Sequence, residues 1–137
     1  MDYQLRDYQK KASDVAVAFF EDMKAKYNAI MVMPTGCGKS LVIADIAFRL
    51  NQPLIILQPT KEILEQNYKK LCSYGVLGCS IYSASFNSKK ISRITFATIG
   101  SVIRHIGDFA HFNNIIVDDL SFTPFCTTYP VRPLFAS

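Results

Sequence analysis

No stretch of this 137-residue chain approaches the roughly 20 consecutive apolar residues that a bilayer-spanning helix needs. The opening MDYQLRDYQK lacks the apolar centre of a secretory leader. These absences lead to the expectation of a soluble, cytoplasmic protein with no membrane partner. Four cysteines, Cys37, Cys72, Cys79 and Cys126, form no C-x-x-C pair, and two histidines cannot complete a zinc pattern with them. They read as reduced thiols. Charged residues are 19% of the chain and apolar residues 50%, a balance that argues against disorder and supplies one core. The length suits one domain and excludes two full ones. Fifteen basic minus eleven acidic residues give a net charge of +4, compatible with a nucleic-acid partner without requiring one. There is no internal repeat and no low-complexity segment.

What is present alternates. Leu5 to about Lys26 reads as an amphipathic helix, with Leu5, Tyr8, Ala12, Val15, Phe19 and Met23 on one apolar face. Ala29 to Met33 is a short run, apolar on both faces, of the kind that forms a buried parallel strand. Lys39 to Leu50 reads as a helix, and Asn51-Gln52-Pro53 turns the chain. Leu54 to Leu57 is a second strand, and Thr60 is placed to cap a helix bearing Ile63, Leu64, Tyr68 and Leu71. Strands follow at Cys79 to Tyr82, Ile94 to Ala97 and Asn114 to Val117, with a short helix around Ser101 to Ile106. Strands alternating with helices predict a parallel sheet covered on both faces.

After Asp119 the character changes. The tail LSFTPFCTTYPVRPLFAS holds one charged residue, Arg132, and three of the six prolines. Its prolines argue against a central strand.

The segment Met33 to Ser40, MPTGCGKS, lies between an apolar strand and a helix. The full phosphate-loop pattern places glycine at the position that Met33 occupies, so the match is the shorter P-T-G-C-G-K-S form. Gly36 and Gly38 let successive backbone N–H groups turn inward around phosphate oxygens. The helix beginning near Lys39 adds its positive end. Lys39 supplies a mobile charge for the β- and γ-phosphates, and Ser40 a hydroxyl for Mg²⁺. The complementary acid belongs at the end of another buried strand, where Asn114-Ile115-Ile116-Val117 runs into Asp118 and Asp119. Asp118 would hold Mg²⁺ through its water shell, and Asp119 would face the attacking water.

These features together resemble the first RecA-like domain of superfamily 2 helicases, especially the DECH-box and type III restriction-subunit-like branch. The resemblance covers residues 5 to 119. Leu5-Arg6-Asp7-Tyr8-Gln9 is similar to the N-terminal glutamine element, which implies that Gln9 reads the adenine edge and Arg6 supports it. MPTGCGKS looks like motif I, which implies nucleotide contacts from Pro34, Thr35, Gly36, Cys37, Gly38, Lys39 and Ser40. Gln58 to Gln66 resembles motif Ia, which implies nucleic-acid contacts from Pro59, Thr60 and Lys61. Phe96 to Val102 resembles motif Ib, which implies the same for Thr98 and Ser101. Ile115 to Asp119 resembles the start of motif II. Thr60 and Lys61 also sit at a strand-to-helix junction, where a hydroxyl, an ammonium and free N–H groups can meet phosphate.

The resemblance breaks after Asp118. Motif II continues Asp-Glu-x-His in the family, and here reads Asp118-Asp119-Leu120-Ser121. The water-orienting glutamate is one methylene shorter, and positioning dominates phosphoryl transfer. The motif III strand, the second RecA-like domain and its arginine finger do not follow. The sheet is therefore expected to be incomplete at the C-terminus, with unpaired inner edges between the P-loop strand and the motif II strand. Residues 1–119 read as a partial helicase ATP-binding domain and 120–137 as an atypical tail. Leu120-Ser121-Phe122 can be encoded TTG-TCA-TTT, which read one base later contains TGT-CAT, Cys-His, so a frameshift would explain the tail. The expected function is the ATP-binding portion of a DNA helicase or translocase, with ATP and Mg²⁺ as cofactors and DNA ahead of RNA as partner. The alternative is a non-catalytic remnant with weak nucleotide or nucleic-acid binding. A small P-loop kinase explains neither Gln9 nor the Thr60-Lys61 junction.

Overall fold

Apolar runs that fill both faces of a strand become the centre of this molecule. The computed structural model describes residues 4–22, 29–31, 38–118 and 132–136. Helix α1 (Asp7–Glu21) precedes β1 (Ala29–Met31). Then come α2 (Lys39–Arg49), β2 (Leu54–Gln58), α3 (Lys61–Ser73) and β3 (Cys79–Ser83). A 3-10 turn (Ala84–Phe86) leads to β4 (Ser88–Lys89). Next are β5 (Ile94–Thr98), α4 (Ile99–Arg104), a second 3-10 turn (Ile106–Phe109), β6 (Asn114–Asp118) and β7 (Arg132–Ala136). The described strands form one sheet in the order β1-β7-β6-β2-β5-β3-β4. All pairings are parallel except that of β3 with β4. The α/β class with a helix-flanked, mostly parallel sheet is as the alternation predicts.

Strand alternation divides the core. On one face Leu54, Ile56, Phe96 and Ile116 pack with Phe20, Ile46, Leu64 and Leu71 from the helices. On the other, Ile55, Leu57, Ala97, Ile115 and Val117 pack with Val102, Phe109 and Phe112. Phe96 is fully buried, with Tyr68 of α3 edge-on to its ring at 5.8 Å. Phe96→Ala is therefore expected to cost about 3–5 kcal/mol. A fall in the urea unfolding midpoint at unchanged slope checks it.

Three expectations need correction. The predicted α1 stripe is buried only in part: Phe19 is buried and Ala12 packs on the core, but Tyr8 and Val15 are 46% and 58% exposed. The buried face is Gln9, Ser13, Ala16, Val17, Phe19 and Phe20. Two of these are polar, and the Ser13 hydroxyl donates to the Asp45 carboxylate of α2. Apolar periodicity is blind to a face held partly by hydrogen bonds. Secondly, the sheet is not wholly parallel. Asn87 takes a left-handed conformation, φ 49°, that folds β4 back on β3. A two-residue strand carries no readable period.

The third correction concerns the tail. The prolines argue against a central strand, yet β7 lies between β1 and β6. Pro133 pairs with Ile115 of β6, and among the described residues the ladder to β1 runs from Leu134 opposite Ala29. Pro133 is thus the second residue of the strand, near the start, where a missing N–H is tolerated. The inner edges of β1 and β6 are paired. A smaller difference is that the short helix spans Ile99–Arg104. Met23, Val32 and Met33 lie outside the described residues.

Candidate nucleotide site and nucleic-acid edge

Parallel pairing sends the carboxyl ends of β1, β7, β6, β2, β5 and β3 to one side of the sheet. Ligands of open α/β sheets bind at this side. Every sequence-predicted site residue that the structure describes, apart from Arg6 and Gln9 on α1, ends one of these strands or begins the segment after it. Pro34, Thr35, Gly36, Cys37 and Asp119 lie outside the described residues.

Gly38 is the N-cap of α2 in a left-handed conformation, φ 80°. Its carbonyl accepts from the N–H groups of Leu41 and Val42 at 3.0 and 3.3 Å. Gln9 closes over it: a β-carbon at Gly38 would overlap the Gln9 side-chain nitrogen. Gln9 is buried, and its Oε1 accepts the Arg6 backbone N–H at 2.9 Å. Arg6 thus supports Gln9 through its main chain. Two segments distant in sequence, the glutamine element and the end of MPTGCGKS, are in contact.

The α1–α2 seam fixes that contact. Ser13 bonds to Asp45, and Arg49 pairs with Asp14 at 2.6 Å and Asp45 at 3.6 Å. The Asp14 hydrogen bond raises the Arg49 pKa, against an opposing effect of partial burial.

Lys39 and Ser40 open α2, both half-buried. The Ser40 hydroxyl donates to Asn67 Oδ1 of α3 at 3.2 Å. Asp118 ends β6 opposite Ala136 of β7, and Ala136 in turn lies opposite Met31 of β1. One strand therefore separates the strand of Asp118 from the strand that leads into the glycine loop. A glycine with no room for a side chain, a helix N-terminus, an ammonium and hard oxygen donors suit a phosphate chain with Mg²⁺.

The second predicted group lies along the same edge. Gln58 and Thr98 are register partners, which brings Pro59, Thr60 and Lys61 beside Thr98. Thr60 caps α3, its Oγ1 accepting from the Ile63 N–H at 3.3 Å. Lys61 is exposed, with its ammonium 5.4 Å from the centre of the Phe86 ring, a contact that no motif announced. Thr98 Oγ1 donates to Ser101 Oγ at 2.9 Å. Ser101 is buried and its Oγ also accepts the Ala84 N–H at 3.3 Å, so its hydroxyl is committed within the fold. Among the predicted nucleic-acid residues, Lys61 is the exposed cation.

Reading by motif passed over Gln58. It is fully buried at the end of β2, and neither its Nε2 nor its Oε1 has a partner. Ser83 Oγ at the end of β3 is in the same condition. A polar residue closing the apolar run Leu54-Ile55-Ile56-Leu57 was the available signal.

Burial displaces titration elsewhere. Burial chiefly raises the Tyr68 and Tyr82 hydroxyls, with Cys72 and Asp108 adding to the respective effects. Cys79 is pushed up to about 11 by burial and then by Cys72, with Arg93 opposing. Only the thiolate reacts, so Cys79 is inert near neutral pH and gains reactivity as pH rises toward its pKa. Alkylation at pH 8, read by peptide mass spectrometry, is expected to label exposed Cys72 well before Cys79.

A family profile described as "Type III restriction enzyme, res subunit" matches residues 2–120. No curated protein matches the chain. Three solved structures share the fold over 98% of it. They are a nuclease-deletion mutant of the Type ISP restriction-modification enzyme LlaGI in complex with a DNA substrate mimic (17% identity, TM-score 0.70); a hypothetical ATP-dependent RNA helicase from Sulfolobus tokodaii (17%, 0.69); and the UvsW helicase from Bacteriophage T4 (14%, 0.70). The chain spans 17%, 46% and 52% of those chains respectively. Among the described residues no helix is long and apolar enough to cross a membrane.

Proposed function

The chain belongs to the type III restriction enzyme res-subunit family and has the RecA-like helicase fold, and from that premise we propose that it forms the ATP-binding half of a nucleic-acid translocation site. The observation that carries this reading is Gly38, left-handed at the start of α2, with Gln9 packed where its side chain would be. The residues fit a magnesium nucleotide. Lys39 and the N–H groups at the start of α2 would hold the phosphates. Ser40, exchanging its bond to Asn67, and Asp118 would hold the cation. Pro34, Thr35, Gly36 and Cys37 would complete the Walker A loop, and Gln9, held by Arg6, would meet the base. Bound Mg²⁺ supplies neutralisation of phosphate charge. Asp119 stands where a DECH box has glutamate, one methylene short of orienting water well. Pro59, Thr60, Lys61 and Thr98 would line an edge that follows a nucleic-acid backbone, with buried Ser101 holding Thr98 from beneath. DNA is favoured over RNA, and the compartment is the cytoplasm.

The test is titration of a fluorescent ATP analogue. Lys39→Ala is expected to weaken binding about 30-fold, from loss of an interaction of about 2 kcal/mol with a charged partner. Unchanged affinity would remove the nucleotide site.

A second reading, a non-catalytic remnant, is favoured by Asp118-Asp119-Leu120-Ser121, which lacks the histidine of the family pattern. It expects no DNA-stimulated ATP hydrolysis by this chain alone. Turnover that rises on adding DNA would overturn it.

A further inference from the structure

Four neighbouring strands end in one row of polar residues. Gln58 of β2 faces Thr98 of β5 in register. Asp118 of β6 falls one residue beyond the Leu57–Val117 pair, and Ser83 of β3 one beyond the Tyr82–Ala97 pair. Two residues back along each strand, the row is Ile116, Ile56, Phe96 and Ile81, all apolar and packed in the core under the helices. Alternation puts Gln58 on the same face as Ile56, the face over which α2 and α3 lie with their Ser40–Asn67 bond.

Gln58 is 0% exposed and both ends of its carboxamide lack a partner. A native fold keeps few such groups, and each calls for an explanation. An apolar residue of the same size would avoid the desolvation penalty. The amide is neutral, donates through Nε2 and accepts through Oε1. It sits between the strand of Asp118 and the helices that carry Ser40, the two groups assigned to the cation.

The geometry points to Gln58 as a positioning residue for the divalent cation of the bound nucleotide. This rests on the nucleotide-site reading above. Its Oε1 accepts from water held by the cation and its Nε2–H donates to an acceptor that the loaded site brings, so the two orphaned atoms are satisfied only in the loaded state. Two effects of opposite sign follow. Removing the amide relieves the ligand-free chain of a buried penalty and weakens only the cation-dependent part of binding.

The experiment uses the whole chain and measures the Kd of an ATP analogue with Mg²⁺ and with EDTA. Wild type, Gln58→Leu, Gln58→Met and Lys39→Ala are compared. For both Gln58 variants the expected result is an unchanged Kd in EDTA, a loss of about tenfold in the strengthening by Mg²⁺, and a higher ligand-free Tm. Equal losses with and without Mg²⁺, or full retention of the Mg²⁺ effect, would overturn the assignment. A shift of the wild-type Gln58 side-chain ¹⁵N–¹H resonance when Mg²⁺ joins the nucleotide gives a readout that needs no substitution. A resonance that stays in place counts against it. The Lys39→Ala arm separates the two ideas. If Lys39→Ala abolishes binding while the Gln58 variants keep the Mg²⁺ effect, Gln58 alone is misassigned. If Lys39→Ala binds like wild type, the nucleotide site falls and the inference with it.

Discussion

Deleting residues 120–137 is expected to cost the protein its fold and not merely its tail. β7 makes five registered pairs with β6 and three with β1. Among the described residues, β1 has no other sheet neighbour, because it is the end strand of the order. The strand that leads into the glycine loop is therefore attached to the sheet through the tail. Without β7, the inner edge of β6 is left with unpaired N–H and C=O groups beside buried Ile115, Ile116 and Val117. At about 1–3 kcal/mol for each unsatisfied buried group, several of them reach the whole stability of a domain, about 5–15 kcal/mol. An open inner edge also invites pairing with another copy. Circular dichroism, gel filtration and ATP-analogue titration of residues 1–119 should show lost cooperativity, aggregation and no binding. A chain of 119 residues that melts cooperatively and binds nucleotide like the intact one would show β7 to be dispensable. Leu134→Pro is a milder version. It removes a donor from the residue that faces both Ala29 and Ile116, and is expected to lower the Tm while leaving the chain monomeric.

The tail also shows where the sequence stops being readable. Apolar runs such as Leu54 to Leu57 and Ile115 to Val117 announce buried strands, because burial on both faces leaves no room for polar residues. The order of those strands follows from nothing local, and the resemblance implies only that a further strand separates the P-loop strand from the motif II strand. β7 was hidden because proline spacing is a local rule, while the vacancy between β1 and β6 is a tertiary fact. Once that slot exists, the run Leu134-Phe135-Ala136 meets its demand and Pro133 falls near the start of the strand. α1 was misread for a related reason. Its inward face includes Gln9 and Ser13, whose burial depends on Gly38 and Asp45 far along the chain. For the site, MPTGCGKS was readable as a candidate because a phosphate loop would be built from consecutive residues. Gln58 was not, since its meaning depends on what the ends of β5 and β6 place beside it.

Gly38→Ala is expected to damage both stability and nucleotide binding, and the cause can be divided by experiment. At φ 80° a β-carbon meets its own backbone, which costs about 1–2 kcal/mol for a residue other than glycine. The same β-carbon overlaps the Gln9 amide nitrogen. That amide is the end of a flexible side chain, so it can move. It is nonetheless buried and holds the Arg6 N–H, so moving it breaks the cap of α1 and adds about 1 kcal/mol. The total is expected near about 2–3 kcal/mol. A Gln9→Ala background removes the collision and keeps the backbone strain. There Gly38→Ala should cost about 1–2 kcal/mol, a difference that a double-mutant cycle resolves. Equal costs in the two backgrounds would mean that Gln9 does not rest on Gly38. Nucleotide affinity should follow a different pattern. Gly38→Ala disturbs the left-handed turn into α2 on which the proposed nucleotide site rests, so binding is expected to fall in both backgrounds and by more than tenfold, a loss above about 1.4 kcal/mol. Restored binding in the double variant would place the damage in Gln9 alone. Continued loss would place it in the backbone at the start of α2, where Gly38 is left-handed.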